Sequence, residues 1–118
     1  MRTVSHAMSP LHGWDFWRSI GSPTTVCAPM VDQSERAFRM LCREYGTDLA
    51  YTPMLHARLF DEHEVYREQH FDPHSSDRPL IAQLAGHDPD VVCAAALRIQ
   101  DEVDAVDLNF GWCEPPHR

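Results

Sequence analysis

The chain has 118 residues, 43% of them apolar, with ten arginines, no lysine and a formal charge of −8. That length favours one domain or part of one, and no run approaches the roughly 20 apolar residues of a membrane-spanning helix. Phosphate contact needs cations, so this acidic composition taken alone argues against a nucleic-acid partner. The start, MRTVSHAMSPLHGWDFWRS, lacks the continuous apolar segment of a secretory signal and the amphipathicity of a transit peptide. The expected location is the cytoplasm, with the nucleus as a second compartment.

Residues 1–22 read as an irregular lead-in, in which WDFWRSIG can form a short helix and Trp14, Phe16 and Trp17 serve as anchors. TTVCAPM, residues 24–30, is a short β-branched and apolar strand ending at Pro29. In VDQSERAFRMLCREYG, Ser34 is the expected N-cap of a helix, with Glu35 in its first turn. Ala37, Phe38, Leu41, Cys42 and Tyr45 recur at helical spacing as one apolar face, and Gly46 suits the stop. LAYTPML, residues 49–55, is the next strand, which Pro53 ends or makes irregular.

Residues 56–78 are polar and contain His56, His63, His70 and His74; they read as a long loop with short helical pieces. Pro73 opposes a helix that would put His70 and His74 on one face, and no cysteine pair completes a zinc set, so no metal is expected. The acids of FDEHEVYREQ read as a solvated face. PLIAQLAG, residues 79–86, is a third strand, apolar except for Gln83. Asp88 caps the following helix with Pro89 at its first position, and Val92, Ala95, Ala96, Ile99 and Val103 form its stripe. AVDLNFG, residues 105–111, is the fourth strand.

Apolar strands separated by helices predict an α/β fold with a parallel sheet. The turn after the first strand, APMVDQSE, holds no glycine, and no phosphate-loop motif occurs, which disfavours a doubly wound nucleotide fold. The alternative is part of a (β/α)8 barrel, where ligand groups gather at the C-terminal ends of strands. The odd residues sit there: Pro29 and Met30; Thr52, Pro53 and Met54; Gln83; and Asp107, Asn109 and Gly111. Amides at such positions either satisfy neighbouring backbone or read a planar heterocycle. Four cysteines, Cys27, Cys42, Cys93 and Cys113, include no C-x-x-C pair. Reduced thiols are expected, the first three as small buried hydrophobes.

Three stretches, APMVDQSERAFRMLCREYGTDLAYTPMLHA, RPLIAQLAGHDPDVVCAAA and DAVDLNFG, resemble the N-terminal part of tRNA-dihydrouridine synthases, and most of all the eukaryotic branch acting at D-loop positions 16 and 17. The resemblance covers roughly residues 26–111. It implies an FMN-dependent barrel that reduces tRNA uridine, with NADPH or NADH as reductant, and residues 23–118 as its N-terminal half, about four strands with covering helices. It also implies cofactor-binding roles for Pro29 and Met30, which match the strand against the flavin ring, for Gln83, a flavin-contacting glutamine, and for Asn109, near the flavin and the target uracil.

Reduction of uracil needs a hydride at one ring carbon and a proton at its neighbour, and a positioned acid must supply the proton. In the family that acid is the cysteine of Asn-x-Gly-Cys-Pro. Here the sequence departs, reading Asn109-Phe110-Gly111-Trp112-Cys113-Glu114-Pro115, so Cys113, the candidate acid, stands one residue late. The family's later strands, a lysine and a histidine near the flavin, the phosphate loops and the helical tRNA-binding domain have no counterpart in these residues. The expectation is therefore a truncated form, with two rivals: a non-catalytic barrel piece that binds a partner chain, or another flavin-binding barrel oxidoreductase.

Overall fold

A computed structural model describes residues 11–111 of the chain. Its elements follow in the order α1 (Gly13–Ser19), β1 (Val26–Cys27), α2 (Arg36–Glu44), β2 (Leu49–Tyr51), β3 (Leu55–His56), α3 (Ala57–Glu62), α4 (Glu64–His70), β4 (Leu80–Ala85), α5 (Pro89–Ile99) and β5 (Ala105–Leu108). Every strand pair is parallel. β4 is the hub: its first half pairs with β2, its second half with β3, and its other edge with β5.

β2 and β3 are one strand with a bulge. Tyr51 pairs with Ile81 and Leu55 with Leu84, so four steps on one strand oppose three on the other. The extra residue falls in Thr52-Pro53-Met54, where proline cannot donate to the ladder. With β2 and β3 counted as one, the spatial order of the strands equals their order in the chain. Four parallel strands in sequential order, with the connecting helices between them, form part of a barrel wall; a doubly wound sheet reverses direction at a switch point.

One face of the sheet packs on helices. Cys27, Ala50, Leu80, Ala82 and Leu84 form a core with Ala57 and Phe60 of α3 and with Ala95 and Ile99 of α5. Asp88 caps α5 as its position predicts, its carboxylate accepting from the backbone N–H of Asp90 at 3.0 Å. The strand pairing puts Leu49, Tyr51, Ile81, Gln83, Ala105 and Asp107 on the opposite, concave face.

Several sequence expectations change in the fold. The short helix expected in the lead-in is present as α1, but Trp14 is 72% exposed rather than an anchor, while Phe16 and Trp17 are half-buried. Ser34 does not cap α2, whose N-cap is Glu35 without a side-chain bond. The fully buried Ser34 instead closes the preceding turn: its hydroxyl donates to the Met30 carbonyl at 3.0 Å and accepts from the Met30 N–H at 2.9 Å. Cys93 is exposed, because it faces away from the core of α5. Cys27 is buried with Cys42 beside it, and burial first, then that neighbouring thiol, push the Cys27 thiol up.

The largest departure is α2. Of its expected stripe only Cys42 packs against the core; Ala37, Phe38, Leu41 and Tyr45 face solvent, and Arg39 is the buried residue. Arg39 is 3% exposed and meets the fully buried Asp77 with Nε at 2.8 Å and Nη2 at 2.7 Å. Arg43 donates to the other oxygen of Asp77 at 3.0 Å and to the Pro79 carbonyl at 2.8 Å. The Ser34 carbonyl accepts from Arg39 at 2.6 Å. A carboxylate shared by two guanidinium groups, all further bonded, avoids leaving an unpaired charge buried, a cost of several kcal/mol.

Candidate functional site

The concave face carries a polar row at the C-terminal end of the strands. Gln83 on β4 stands directly opposite Asp107 on β5, and Gln83 Nε2 donates to Asp107 Oδ2 at 2.8 Å. Asn109 lies two residues beyond Asp107 and keeps the ladder going, its N–H donating to the Leu84 carbonyl at 2.9 Å. Period-two alternation puts it on the same face as Asp107. Its side chain reaches back across the end of β4, where Nδ2 meets the Met54 sulfur at 3.3 Å. Its Oδ1 accepts from the Gly111 N–H at 2.9 Å, which fixes the turn after β5.

The bulge supplies the other half of this rim. Its extra residue interrupts the backbone ladder beside Gln83. The Gln83 N–H is met instead by the Thr52 hydroxyl at 3.1 Å, which in turn donates to the Pro53 carbonyl at 2.8 Å. Thr52 is 1% exposed, so an unmet N–H here would cost about 1–3 kcal/mol. Tyr51 precedes the bulge on the concave face; burial first, then the Asp107 carboxylate, hold its phenol above the ordinary value of 10.0. Pro29 and Met30 follow β1 on the same rim, half-buried, with β2 between them and β4.

Thus Gln83 and Asn109 are brought to one face and one end, with the Met54 sulfur against the Asn109 amide. Pro29 and Met30 share the rim at a distance of two strands. Cys113 lies outside the described residues. Asp107 and Thr52 are partners that strand-end reasoning lists but does not assign, because their roles come from cross-strand register and from the bulge. The His-rich stretch divides: His70 ends α4 against the Tyr66 ring, and His74 bonds the Ser76 hydroxyl at 2.7 Å. Among the described residues no group of three His, Cys, Asp or Glu side chains is arranged to hold a metal.

Other clefts lie away from this row. One of about 260 Å³ opens between the start of α2 and the end of α4, where Arg36 is paired with Asp72. Another, apolar and about 440 Å³, lies between α5 and the β5 edge, lined by Val92, Ala96, Leu108 and Phe110. Neither cleft is lined by Gln83, Asp107 or Asn109.

The rim suits a flat heteroaromatic ring with polar edges. Gln83 and Asn109 offer amide groups, and Met30, Met54 and Pro29 offer apolar surface. The amide of Asn109 donates to a thioether, a weak acceptor that a ring carbonyl would better. These residues fit an isoalloxazine ring.

Residues 26–116 match the family model of dihydrouridine synthase (Dus). The chain is 51% identical over 107 residues to a tRNA-dihydrouridine(16/17) synthase of Saccharomyces cerevisiae, whose full name includes NAD(P)(+), covering 88% of this chain and 25% of that protein. It is 50% identical over 107 residues to a rat protein named as like that enzyme, covering 88% and 24%. A mouse protein named as like a tRNA-dihydrouridine(20a/20b) synthase is 41% identical over 91 residues, covering 77% and 28%. The chain therefore spans about a quarter of the length of these relatives. On the parallel wall, the polar rim and a family model that matches most of its length, the chain belongs to the dihydrouridine synthase family.

Proposed function

We propose that residues 23–118 form the flavin-side wall of an FMN-dependent tRNA-dihydrouridine synthase that reduces uridine of the 16/17 class, with NADPH or NADH as the source of electrons. The observation that carries this reading is the convergence of Gln83, Asp107, Asn109 and Met54 at the C-terminal rim of the concave face. The high identity to a 16/17 enzyme supports the choice of class. The flavin, when bound, supplies the hydride that uracil accepts.

The chain's own residues then bind and orient. Gln83 and Asn109 hold the polar edge of the ring system. Met30, Met54 and Pro29 cover its surface and exclude water. Cys113 is the candidate proton donor at the neighbouring uracil carbon. The −8 charge leaves the electrostatic grip on tRNA to basic groups beyond this wall.

The test is direct. Purified chain titrated with FMN gives a bound flavin spectrum, which Gln83→Ala weakens about tenfold. With NADPH and tRNA lacking dihydrouridine, conversion of uridine is followed by mass spectrometry of digested tRNA, and Cys113→Ala loses turnover while keeping the flavin. No flavin binding by the chain overturns the reading.

A second reading has its own support: a flavin-binding wall without turnover that needs further polypeptide on its flanks. Val26 on the β1 edge is 48% exposed, Val106 on the β5 edge 39%, and Leu41 on the outer face of α2 50%. Flavin bound without uridine conversion selects this reading.

A further inference from the structure

We infer that Asp107 is a positioning residue: it commits the Gln83 carboxamide to one orientation, so that Gln83 presents its oxygen to the N–H of a cyclic imide. The flavin reading above is what makes isoalloxazine one such imide.

Asp107 and Gln83 are register partners on neighbouring strands, and the contact between Nε2 and Oδ2 is 2.8 Å. A carboxamide can turn either end toward a neighbour of ambiguous polarity. A carboxylate is not ambiguous; it only accepts, so it repels the amide oxygen and draws the nitrogen. The amide oxygen is thereby turned away from Asp107. The base of the side chain is pinned too, since the Gln83 N–H is held by the buried Thr52 hydroxyl at 3.1 Å. Among the described residues no donor meets Gln83 Oε1, and the side chain is half-exposed on the concave face. One acceptor, fixed in direction by a charge, selects one donor.

Isoalloxazine and uracil share that donor, an imide N–H flanked by two carbonyls. A neutral asparagine in place of Asp107 can accept or donate, so the Gln83 amide would lose its preferred sense. A glutamate keeps the charge.

The experiment uses the chain as it stands, in two stages. In 15N-labelled protein without ligand, the Gln83 side-chain amide signals, assigned by their loss in Gln83→Glu, exchange with water several-fold more slowly in the wild type than in Asp107→Asn. Affinities are then measured for FMN against N3-methyl FMN, and for uridine monophosphate against its N3-methyl derivative. The wild type is expected to favour one parent imide by about tenfold, the scale of one hydrogen bond of this kind. Asp107→Asn narrows that preference to about twofold, and Asp107→Glu restores it in part, which separates orientation from a general loss of folding.

The parent that shows the preference identifies the ligand. Uridine monophosphate with the preference and FMN unbound sinks the flavin reading and keeps the role of Asp107. FMN bound equally with its N3-methyl form keeps the flavin reading and overturns this inference. Identical Gln83 amide exchange in wild type and Asp107→Asn, or no binding of either imide, also overturns it.

Discussion

Two helices cover the same sheet with opposite chemistry. α5 turns Ala95 and Ile99 into the apolar core and leaves Leu97 60% exposed. α2 turns Arg39 inward to Asp77 and leaves Phe38, Leu41 and Tyr45 at 40%, 50% and 87% exposure. Both are amphipathic at the helical period, so periodicity finds the stripe in each. It does not say which side of the stripe faces the sheet. A carboxylate 38 residues away in sequence decides that for α2, because a buried anion must recruit cations or be removed.

The sharpest way to break the contrast is Asp77→Ala. It strands Arg39 and Arg43 without their shared anion and is expected to cost about 3–5 kcal/mol in urea unfolding. Ile99→Ala tests the other helix. It removes a fully buried side chain from an apolar site and should cost about 2–4 kcal/mol by the same measurement. If the two costs were reversed, with Asp77→Ala near neutral, α2 would be held by something other than its arginines.

Leu41→Ser addresses the outer face of α2. At 50% exposure, stability should change by no more than about 0.5 kcal/mol, while light scattering should report less self-association. A loss of more than about 2 kcal/mol would mean that the stripe is buried after all.

The smallest effect is a pH dependence. Asp48 accepts from the backbone N–H and hydroxyl groups of Thr24 and Thr25, and those bonds lower its carboxyl from 3.8 to about 2. A depressed folded-state value stabilises above the unfolded value and is lost as pH falls through the folded one. Asp48→Asn should therefore flatten the stability curve between about pH 4 and about pH 2, seen as acid unfolding by circular dichroism. Tyr51 has the opposite sign: its raised phenol favours the fold at neutral pH and loses that contribution only as alkaline pH passes the folded value.

Much of the site and fold was legible along the chain because the relevant signals are local. Apolar runs marked β4 and β5, Asp88-Pro89 marked the start of α5, and the proline in LAYTPML marked the irregularity that became the bulge. Gln83 stood out as a neutral amide in an apolar strand, and the alternation of Asp107 with Asn109 was present in the letters. Polar residues in such places are expensive unless partnered, so their mere presence is informative.

What stayed hidden depends on pairings between distant segments. The inversion of α2 needed Asp77, the pinning of Gln83 needed Thr52, and the orientation of its amide needed Asp107. The amino-acid sequence by itself determined the apolar strands, the helices α2 and α5 and their order, because propensity and periodicity act within a few residues, and its ordered motifs carried the family resemblance. The tertiary structure alone decided which faces turn inward and which polar groups meet, because hydrogen bonds and buried charges are satisfied by whatever the register places opposite them.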